Sequence, residues 1–437
     1  MTPFEIGLAA LAGMGLLVLL GLYVPIALML CSFLGVWAIK GSPVLASKLL
    51  ALAANDAIAS YFFGVVPLFV LMGFVVAEAG LGRDAFDVAN ALFRRLRGGL
   101  AVGTVGANAI FAAITGISIA SAAVFTKIAV PQMVRHGYAR RFAVGVVAGS
   151  SVLGMLIPPS LLLILYGILT EQSIGDLFIA GVLPGLILAL AFAGGIVAMA
   201  HLSPRVLGNP DGQDIAALSP RELVAKGAPI SALIFLVLGG IYLGWFTPVE
   251  AGAVGSIGAL AIGLARRSLS LAGLWRVLVE TGLVTASVCF LIIAAQMYSR
   301  MLAFSGVPRG LGELAAHAEL GVMGLIVIYV AILVALGMIL DSSSIMLILV
   351  PLMLPVVKAM GIDLVWFGIV TVIAVEIGLL TPPFGISVYV IKSTLDDPSV
   401  GLADIFRGAA PFALIMLGVL ALVIAFPWLA TALLPNR

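Results

Sequence analysis

Charge is the scarcest feature of this sequence. Only 10% of the 437 residues are charged and 63% are hydrophobic, where a soluble domain carries roughly 25% and 45–50%. A mean hydropathy of +1.26 points the same way. This shortage excludes a water-soluble enzyme and a disordered chain alike. The charges present nearly cancel, with 22 Lys and Arg against 20 Asp and Glu, so there is no basic footprint for nucleic acid. Cysteine is almost missing. Cys31 and Cys289 lie far apart in apolar runs and form neither a disulfide framework nor a metal spacing. The three histidines, His136, His201 and His317, stand at the polar edges of hydrophobic runs. No Walker A pattern occurs, so ATP does not drive this chain directly. The N-terminus has no basic region, only Glu5 within Met1 to Ile6, and no cleavable signal is expected. What remains is an all-α polytopic membrane protein.

A helix crossing the ~30 Å hydrocarbon core needs about 20 apolar residues. Crossing segments are expected near 5–20, 24–39, 64–80, 142–169, 177–200, 229–244, 248–265, 281–302, 362–380 and 406–433. Two further apolar stretches, 99–130 and 320–357, are interrupted in the middle, the first by Thr115-Gly116-Ile117-Ser118 and the second by Gly337 and Asp341-Ser342-Ser343-Ser344. A break at mid-depth suits a re-entrant hairpin, which must be buried in protein or line a wet cavity because lipid cannot satisfy its free backbone groups. Thirteen of the 22 basic residues cluster at 83–97, 135–141, 205–226 and 266–276. The positive-inside rule makes those loops cytoplasmic and puts the N-terminus outside. The first hairpin then enters from the cytoplasm, and the second from the opposite face, beside Glu313 and Glu319. The long polar stretch 201–227 reads as a cytoplasmic linker between residues 1–200 and 228–437.

These two parts resemble each other at a nearly constant offset. Gly21-Leu-Tyr-Val-Pro25 matches Gly244-Trp-Phe-Thr-Pro248, Ala79-Gly80 with Arg83 matches Ser305-Gly306 with Arg309, and Gly154-Met-Leu-Ile-Pro158-Pro159 matches Gly378-Leu-Leu-Thr-Pro382-Pro383. Each half holds about five crossings and one hairpin. Because five is odd, the second copy is inserted upside down, and such inverted repeats with broken helices are the architecture of secondary transporters.

The paired G-x-x-x-P-P sites carry the most chemistry. A proline removes an N–H and frees the carbonyl four residues earlier, and two in succession stop the helix. The unwound stretches offer carbonyl oxygens inside the membrane, the ligands a hard cation such as sodium takes in discontinuous transporter helices. Asp341 is the only acid in the middle of the second hairpin. It reads either as part of a substrate or ion site or as the N-cap of the outgoing helix. Glu376, two residues before Gly378, fits packing against a polar neighbour as well as function. Glu250, after Thr247-Pro248, is expected to begin a helix. Glu78 and Arg83 flank a helix end, while Asn55 and Asp56 could face another helix or a partner subunit. Catalysis fits poorly. An intramembrane serine protease needs a His or Lys base in the membrane, and Lys127 lies towards the edge of its hairpin. An intramembrane aspartyl protease would have only Asp341 and Glu376 as its pair.

Taken in order, these segments resemble the large membrane subunit of tripartite ATP-independent periplasmic (TRAP) transporters, the DctM type. The resemblance rests on Pro67-Leu-Phe-Val-Leu-Met-Gly73, the hairpin from Ala113 to Lys127 with Pro131-Gln-Met and Gly137-Tyr138, and Ala148 through Ser160 with Tyr166-Gly167. In the second half it rests on Phe246-Thr-Pro-Val-Glu-Ala251, Leu336-Gly-Met-Ile-Leu-Asp341, Pro351 with Pro355, Trp366-Phe-Gly368 and Glu376 through Gly385. It covers nearly the whole chain. It implies a sodium-driven importer of organic anions (a dicarboxylate, sialic acid or another carboxylate) in the bacterial inner membrane. Its partners would be a small four-helix membrane subunit, not fused here, and a periplasmic substrate-binding protein. It further implies an elevator, in which a transport domain of both hairpins and the broken helices 142–169 and 362–393 slides against a scaffold of the remaining helices. Carried over by motif, one sodium site would use Thr115, Gly154, Ile157 and Pro159, mostly through main-chain carbonyls. The other would use Gly337, Gly378, Thr381 and Phe384. Substrate is expected at Ser118, Ser160, Asp341 and Ser342, and no organic cofactor is implied. Two departures stand out: the first hairpin reads T-G-I-S where many relatives read S-G-S, and Ser342 follows Asp341 where many carry proline. A symporter that needs no binding protein is the other transport alternative.

Overall fold

The computed structural model describes residues 1–208, 218–317, 321–395 and 397–434, and among them the regular structure is helical apart from one isolated bridge between Tyr138 and Gly208. Glu319 and much of the expected linker lie outside the described residues. The first half runs α1 (Pro3–Leu19), α2 (Val24–Lys40), α3 (Pro43–Ala59), α4 (Val65–Glu78) and α5 (Leu81–Phe93), then the hairpin α6 (Gly99–Thr115) and α7 (Ser118–Arg135). A crossing broken into α8 (Arg140–Ser151), α9 (Leu153–Leu156) and α10 (Leu161–Thr170) follows, then α11 (Ile174–Leu202) and the short α12 (Pro204–Leu207). The second half runs α13 (Pro220–Ile234), a π turn into α14 (Gly240–Tyr242), α15 (Pro248–Ala265), α16 (Leu271–Ser305) and α17 (Val307–His317). Its hairpin is α18 (Val322–Gly337) with α19 (Ser342–Ala359). Its broken crossing is α20 (Leu364–Leu379) with α21 (Ile386–Thr394), and α22 (Leu402–Ala425) and α23 (Trp428–Thr431) end the chain.

Local chemistry sets many of these boundaries. Thr2 with Glu5, Ser219 with Glu222 and Thr247 with Glu250 each form a reciprocal capping box with proline in the first turn, so α1, α13 and α15 begin where free N–H groups are satisfied by side chains. The box at Glu250 is the helix start expected there. The box at Ser219 starts α13 inside the polar stretch 201–227, so the connection between halves is shorter than its composition suggests. The hairpins are broken where expected but extend further, to Arg135 and Ala359. The sequence reading missed α3, α5 and α17 as helices. The clearest reason is at α5, an amphipathic helix that mixes three charged residues with its apolar face. Among the described residues, seven helices are long and apolar enough to cross a membrane, or eight if α4 and α5, bent by 68°, count as one span. α1, α2, α6, α18 and α20 are apolar but shorter.

Burial separates core from periphery. The apolar window of Arg140–Thr170 is 83% buried inside the protein, against 22% for Pro220–Tyr242, so the first broken crossing is enclosed by protein while α13 is left for lipid or a partner. Packing recurs when the halves are exchanged. α2 lies on α16 as α15 lies on α4, and each ingoing hairpin helix packs on the first part of its own broken crossing, α6 on α8 and α9 and α18 on α20. Each later part packs on the other half's outgoing hairpin helix, α10 on α19 and α21 on α7. α22 crosses α8 as α11 crosses α20.

The basic loops meet at one end of the molecule. Glu78 pairs with Arg276 at 3.0 Å, Asp84 with Arg266 and Asp87 with Lys226, fastening the region around α5 to the second half. The Ala139 amide donates to the Leu207 carbonyl at 2.7 Å, and Gly98 sits against Ile196 and Leu207. Elsewhere Asp56 finds its partner within the chain, Arg300 of α16 at 2.8 Å.

The α8–α22 crossing depends on glycine. A Cβ on Gly408 would lie 2.2 Å from the Arg141 carbonyl oxygen, and one on Gly145 would lie 2.2 Å from the Gly408 carbonyl oxygen. Small residues let membrane helices approach to backbone contact in this way. Gly408→Val should therefore destabilise the protein by about 1–3 kcal/mol, the usual cost of overpacking. Gly418→Val on the same helix, where a Cβ meets nothing within 4 Å, should be nearly neutral. Thermal unfolding in detergent measures both.

Candidate functional site

Each hairpin turns at a tip, and each tip touches the unwound stretch of the broken crossing in its own half. At the first tip, Gly116 has φ +65°, a left-handed conformation that glycine adopts without strain. Its carbonyl accepts a hydrogen bond from the Leu161 amide at 3.1 Å, and a Cβ there would meet the Pro159 carbonyl oxygen at 2.4 Å. Gly154 abuts Ile117 and Ser118, its would-be Cβ lying 3.1 Å from the Ser118 amide nitrogen. On the other side, Gly73 of α4 presses on the Thr115 backbone. Ser160 caps α10 by accepting from the Leu163 amide at 3.2 Å and donates to the Met155 carbonyl. A small cavity lies between the tip and the break, lined by Thr115, Gly116, Ile117, Pro159 and Ser160 among others.

At the second tip the carbonyl is that of Met338, which accepts from the Phe384 amide at 3.2 Å and from the Gly385 amide at 3.4 Å. Gly337 and Gly378 meet backbone to backbone, a Cβ on Gly378 falling 2.5 Å from the Gly337 Cα. Thr381 donates its hydroxyl to the Ile377 carbonyl at 2.7 Å, as Thr115 donates to Phe111 at 3.0 Å. Asp341 caps α19: its carboxylate accepts from the Ser344 amide at 3.0 Å and from the Ser344 hydroxyl. Ser342 turns the other way and donates to Glu376 at 2.9 Å. Both Pro-Pro bonds are cis.

Of the first candidate set, Thr115 and Pro159 line one cavity, Gly154 adjoins the tip, and the Ile157 side chain packs against Gly185 of α11. Of the second, Gly337 and Gly378 are in contact, while Thr381 and Phe384 occupy the unwound stretch, Phe384 being 52% exposed. Both neighbourhoods offer oxygen ligands: hydroxyls and the carbonyls of broken helices, joined at the second tip by the Asp341 and Glu376 carboxyls. This chemistry suits a hard cation, and no cluster of three or more His, Cys, Asp or Glu suited to a transition metal occurs among the described residues. The two halves differ in cover. Pro158, Pro159 and Ser160 are buried, whereas Pro382, Pro383 and Phe384 are exposed.

Sequence reasoning overlooked Asn108. This α6 residue is fully buried, donates to Ser150 of α8 at 2.8 Å and accepts from Ser121 of α7 at 2.5 Å. One side chain thus joins both arms of the first hairpin to the broken crossing. The available signal was a lone amide within an otherwise apolar hairpin helix.

The fold is found in known membrane transporters. The structure superposes on the Alcanivorax borkumensis YdaH transporter with a TM-score of 0.58 over 89% of each chain at 14% identity. It superposes on Neisseria gonorrhoeae MtrF, described among antimetabolite efflux pumps, with a TM-score of 0.60 over 86% of this chain and 83% of that one at 13% identity. An all-helical polytopic membrane fold is therefore the class that these superpositions define. Within it, this chain belongs to the family described as "Tripartite ATP-independent periplasmic transporter, DctM component", which it matches over residues 11–429. It is similar to the C4-dicarboxylate TRAP transporter large permease protein DctM of Pseudomonas aeruginosa, 36% identical over 86% of each chain. It also resembles the sialic acid permease SiaM of Vibrio cholerae, 33% identical over 85% of each, and the ectoine/5-hydroxyectoine permease UehC of Ruegeria pomeroyi, 33% identical over 84% of each. The chain is thus a large permease subunit of a transporter and not an enzyme, which removes the aspartyl protease alternative.

Asn108→Ala would leave the Ser121 hydroxyl buried without its acceptor, costing about 1–3 kcal/mol. Combining it with Ser121→Ala should cost less than the sum of the two, because the orphaned donor is then gone. Asn55→Ala, at an exposed position, should change little. Unfolding midpoints of the four variants provide the comparison.

Proposed function

We propose that this chain is the large transmembrane subunit of a sodium-coupled, binding-protein-dependent secondary importer of small organic anions in the bacterial inner membrane. The observation that carries this reading is the doubled contact of tip with break, Gly116 carbonyl to Leu161 amide and Met338 carbonyl to Phe384 amide, at positions 222 and 223 residues apart. The packing pairs that recur on exchange of the halves support two inverted repeats of about five crossings and one hairpin each. Unwound carbonyls at mid-depth are where transporters of this architecture hold coupling ions. One sodium ion is placed with Thr115, Gly154, Ile157 and Pro159, and a second with Gly337, Gly378, Thr381 and Phe384. A bound sodium supplies positive charge in a low-dielectric site where the Asp341 carboxylate would otherwise repel the substrate's. The substrate carboxylate then sits between the tips, within reach of Ser118, Ser160, Asp341 and Ser342. The relatives' names, covering C4-dicarboxylates, sialic acid and ectoine, support a small carboxylate.

Movement follows from the same arrangement. The transport domain comprises the two hairpins with α8–α10 and α20–α21, and it slides as an elevator against a scaffold of the other helices. The unequal cover of the Pro-Pro sites represents one of two states, and exchanging the environments of the halves produces the other. A small four-helix subunit covers apolar scaffold surface such as the exposed Leu45, Leu52 and Ile58 of α3. A periplasmic binding protein delivers the anion.

In proteoliposomes, uptake of labelled succinate or sialic acid should require an inward sodium gradient, the small subunit and the cognate binding protein together. Undiminished uptake without sodium would remove the coupling, and undiminished uptake without the binding protein would favour a self-sufficient symporter. Thr381→Leu, which loses one oxygen ligand, should raise the sodium concentration for half-maximal uptake several-fold without lowering the unfolding temperature. Full turnover with a single cross-link between cysteines on the first hairpin and in the Val18–Leu28 region would exclude sliding.

A further inference from the structure

Glu376 has no role in the reading above, although it is a carboxyl with 0% exposure in the middle of a membrane protein. Ionisable groups at such depth are costly, and retained ones are satisfied by specific partners. Its Oε1 accepts the Ser342 hydroxyl at 2.9 Å, and Ser342 is the first residue of α19. Ser118, the first residue of α7 and also 0% exposed, brings its hydroxyl to the same carboxyl. Neither Ser118 Oγ nor Glu376 Oε2 makes a well-formed hydrogen bond with any group. The outgoing helices of both hairpins therefore begin at one carboxyl, and that carboxyl belongs to neither hairpin. It is not doubled in the repeat, since the matching place in the first broken crossing is held by Val152.

We propose that Glu376 is a positioning residue that ties both hairpin tips to the second broken crossing, so that neither tip lifts alone. Withdrawing the second tip strips Oε1 of its donor, and withdrawing the first takes the Ser118 hydroxyl away from the carboxyl. The buried carboxyl therefore favours the state in which both tips are seated, and opening one weakens the hold on the other. That this governs access to the substrate rests on the proposed reading of the tips as the anion-binding ends.

The test uses cysteine accessibility in native membrane vesicles, in a chain whose Cys31 and Cys289 are replaced by alanine. Ser343→Cys reports on the second tip and Ile117→Cys on the first, each labelled with a membrane-permeant maleimide. Glu376→Ala should speed labelling about tenfold at Ser343→Cys, the effect of one lost hydrogen bond to a carboxyl, and about threefold at Ile117→Cys, where a polar contact short of a well-formed hydrogen bond is lost. Glu376→Gln keeps an oxygen acceptor for Ser342 and should stay within about twofold of the parent at Ser343→Cys. In a Ser342→Ala background, Glu376→Ala should add little at the second tip, because the shared bond is already gone. Unchanged labelling at either tip in Glu376→Ala would overturn the proposal, as would Glu376→Gln labelling as fast as Glu376→Ala, or fully additive effects with Ser342→Ala. Should labelling respond as expected while Ser342→Ala leaves succinate uptake intact, the tie stands and the placing of substrate at the tips is what fails.

Discussion

A break in a helix inside the bilayer frees amides and carbonyls where no water can meet them, and lipid offers no substitute. Two broken crossings and two half-membrane hairpins would each be unaffordable alone. Together they satisfy one another. The Gly116 carbonyl takes the Leu161 amide, the Met338 carbonyl takes the amides of Phe384 and Gly385, Ser160 caps the helix that restarts beyond the first break, and Asp341 caps the outgoing helix of the second hairpin. The tips close the breaks and the breaks dock the tips, so neither feature can be removed while the other is kept.

Such mutual cover requires close approach, which glycine permits. Gly337 meets Gly378 across the second site, Gly116 lies against Pro159 across the first, and Gly145 lies against Gly408 behind it. The polar contacts are few and buried: Asn108 with Ser121 and Ser150, Tyr329 with Thr371 at 3.1 Å, and the Trp366 indole with the Val423 carbonyl at 2.9 Å. In a low-dielectric interior each of these fixes a register that apolar packing alone would leave free to slip.

Much of this arrangement was legible in the residues. Paired prolines four residues after a glycine marked both breaks, and polar or small residues within apolar stretches marked both tips. Thr247 with Glu250 marked a helix start. These are local signals in which the residues that fix the conformation are neighbours in the chain. Harder to read was whatever joins distant segments. Nothing near Asn108 names Ser150 as its partner, and Glu376 gave no sign that Ser342, 34 residues earlier, would meet it. Helix α5 escaped because its apolar face is interleaved with Asp84 and Asp87, whose partners lie in the other half. The candidate site was thus legible in its backbone and not in its side-chain contacts.

Those same acids bear on how the chain is made. Glu78, Asp84 and Asp87 wait for Arg276, Arg266 and Lys226, which follow 198, 182 and 139 residues later. Chains fold from the N-terminus while synthesis continues. During that interval the first half can insert but must leave three acids unmatched at its basic end. Only when α13, α15 and α16 arrive do these charges find their counterparts. The ion pairs around α5 therefore record completion of the chain: a truncated product would display an unpaired acidic edge that the finished subunit conceals.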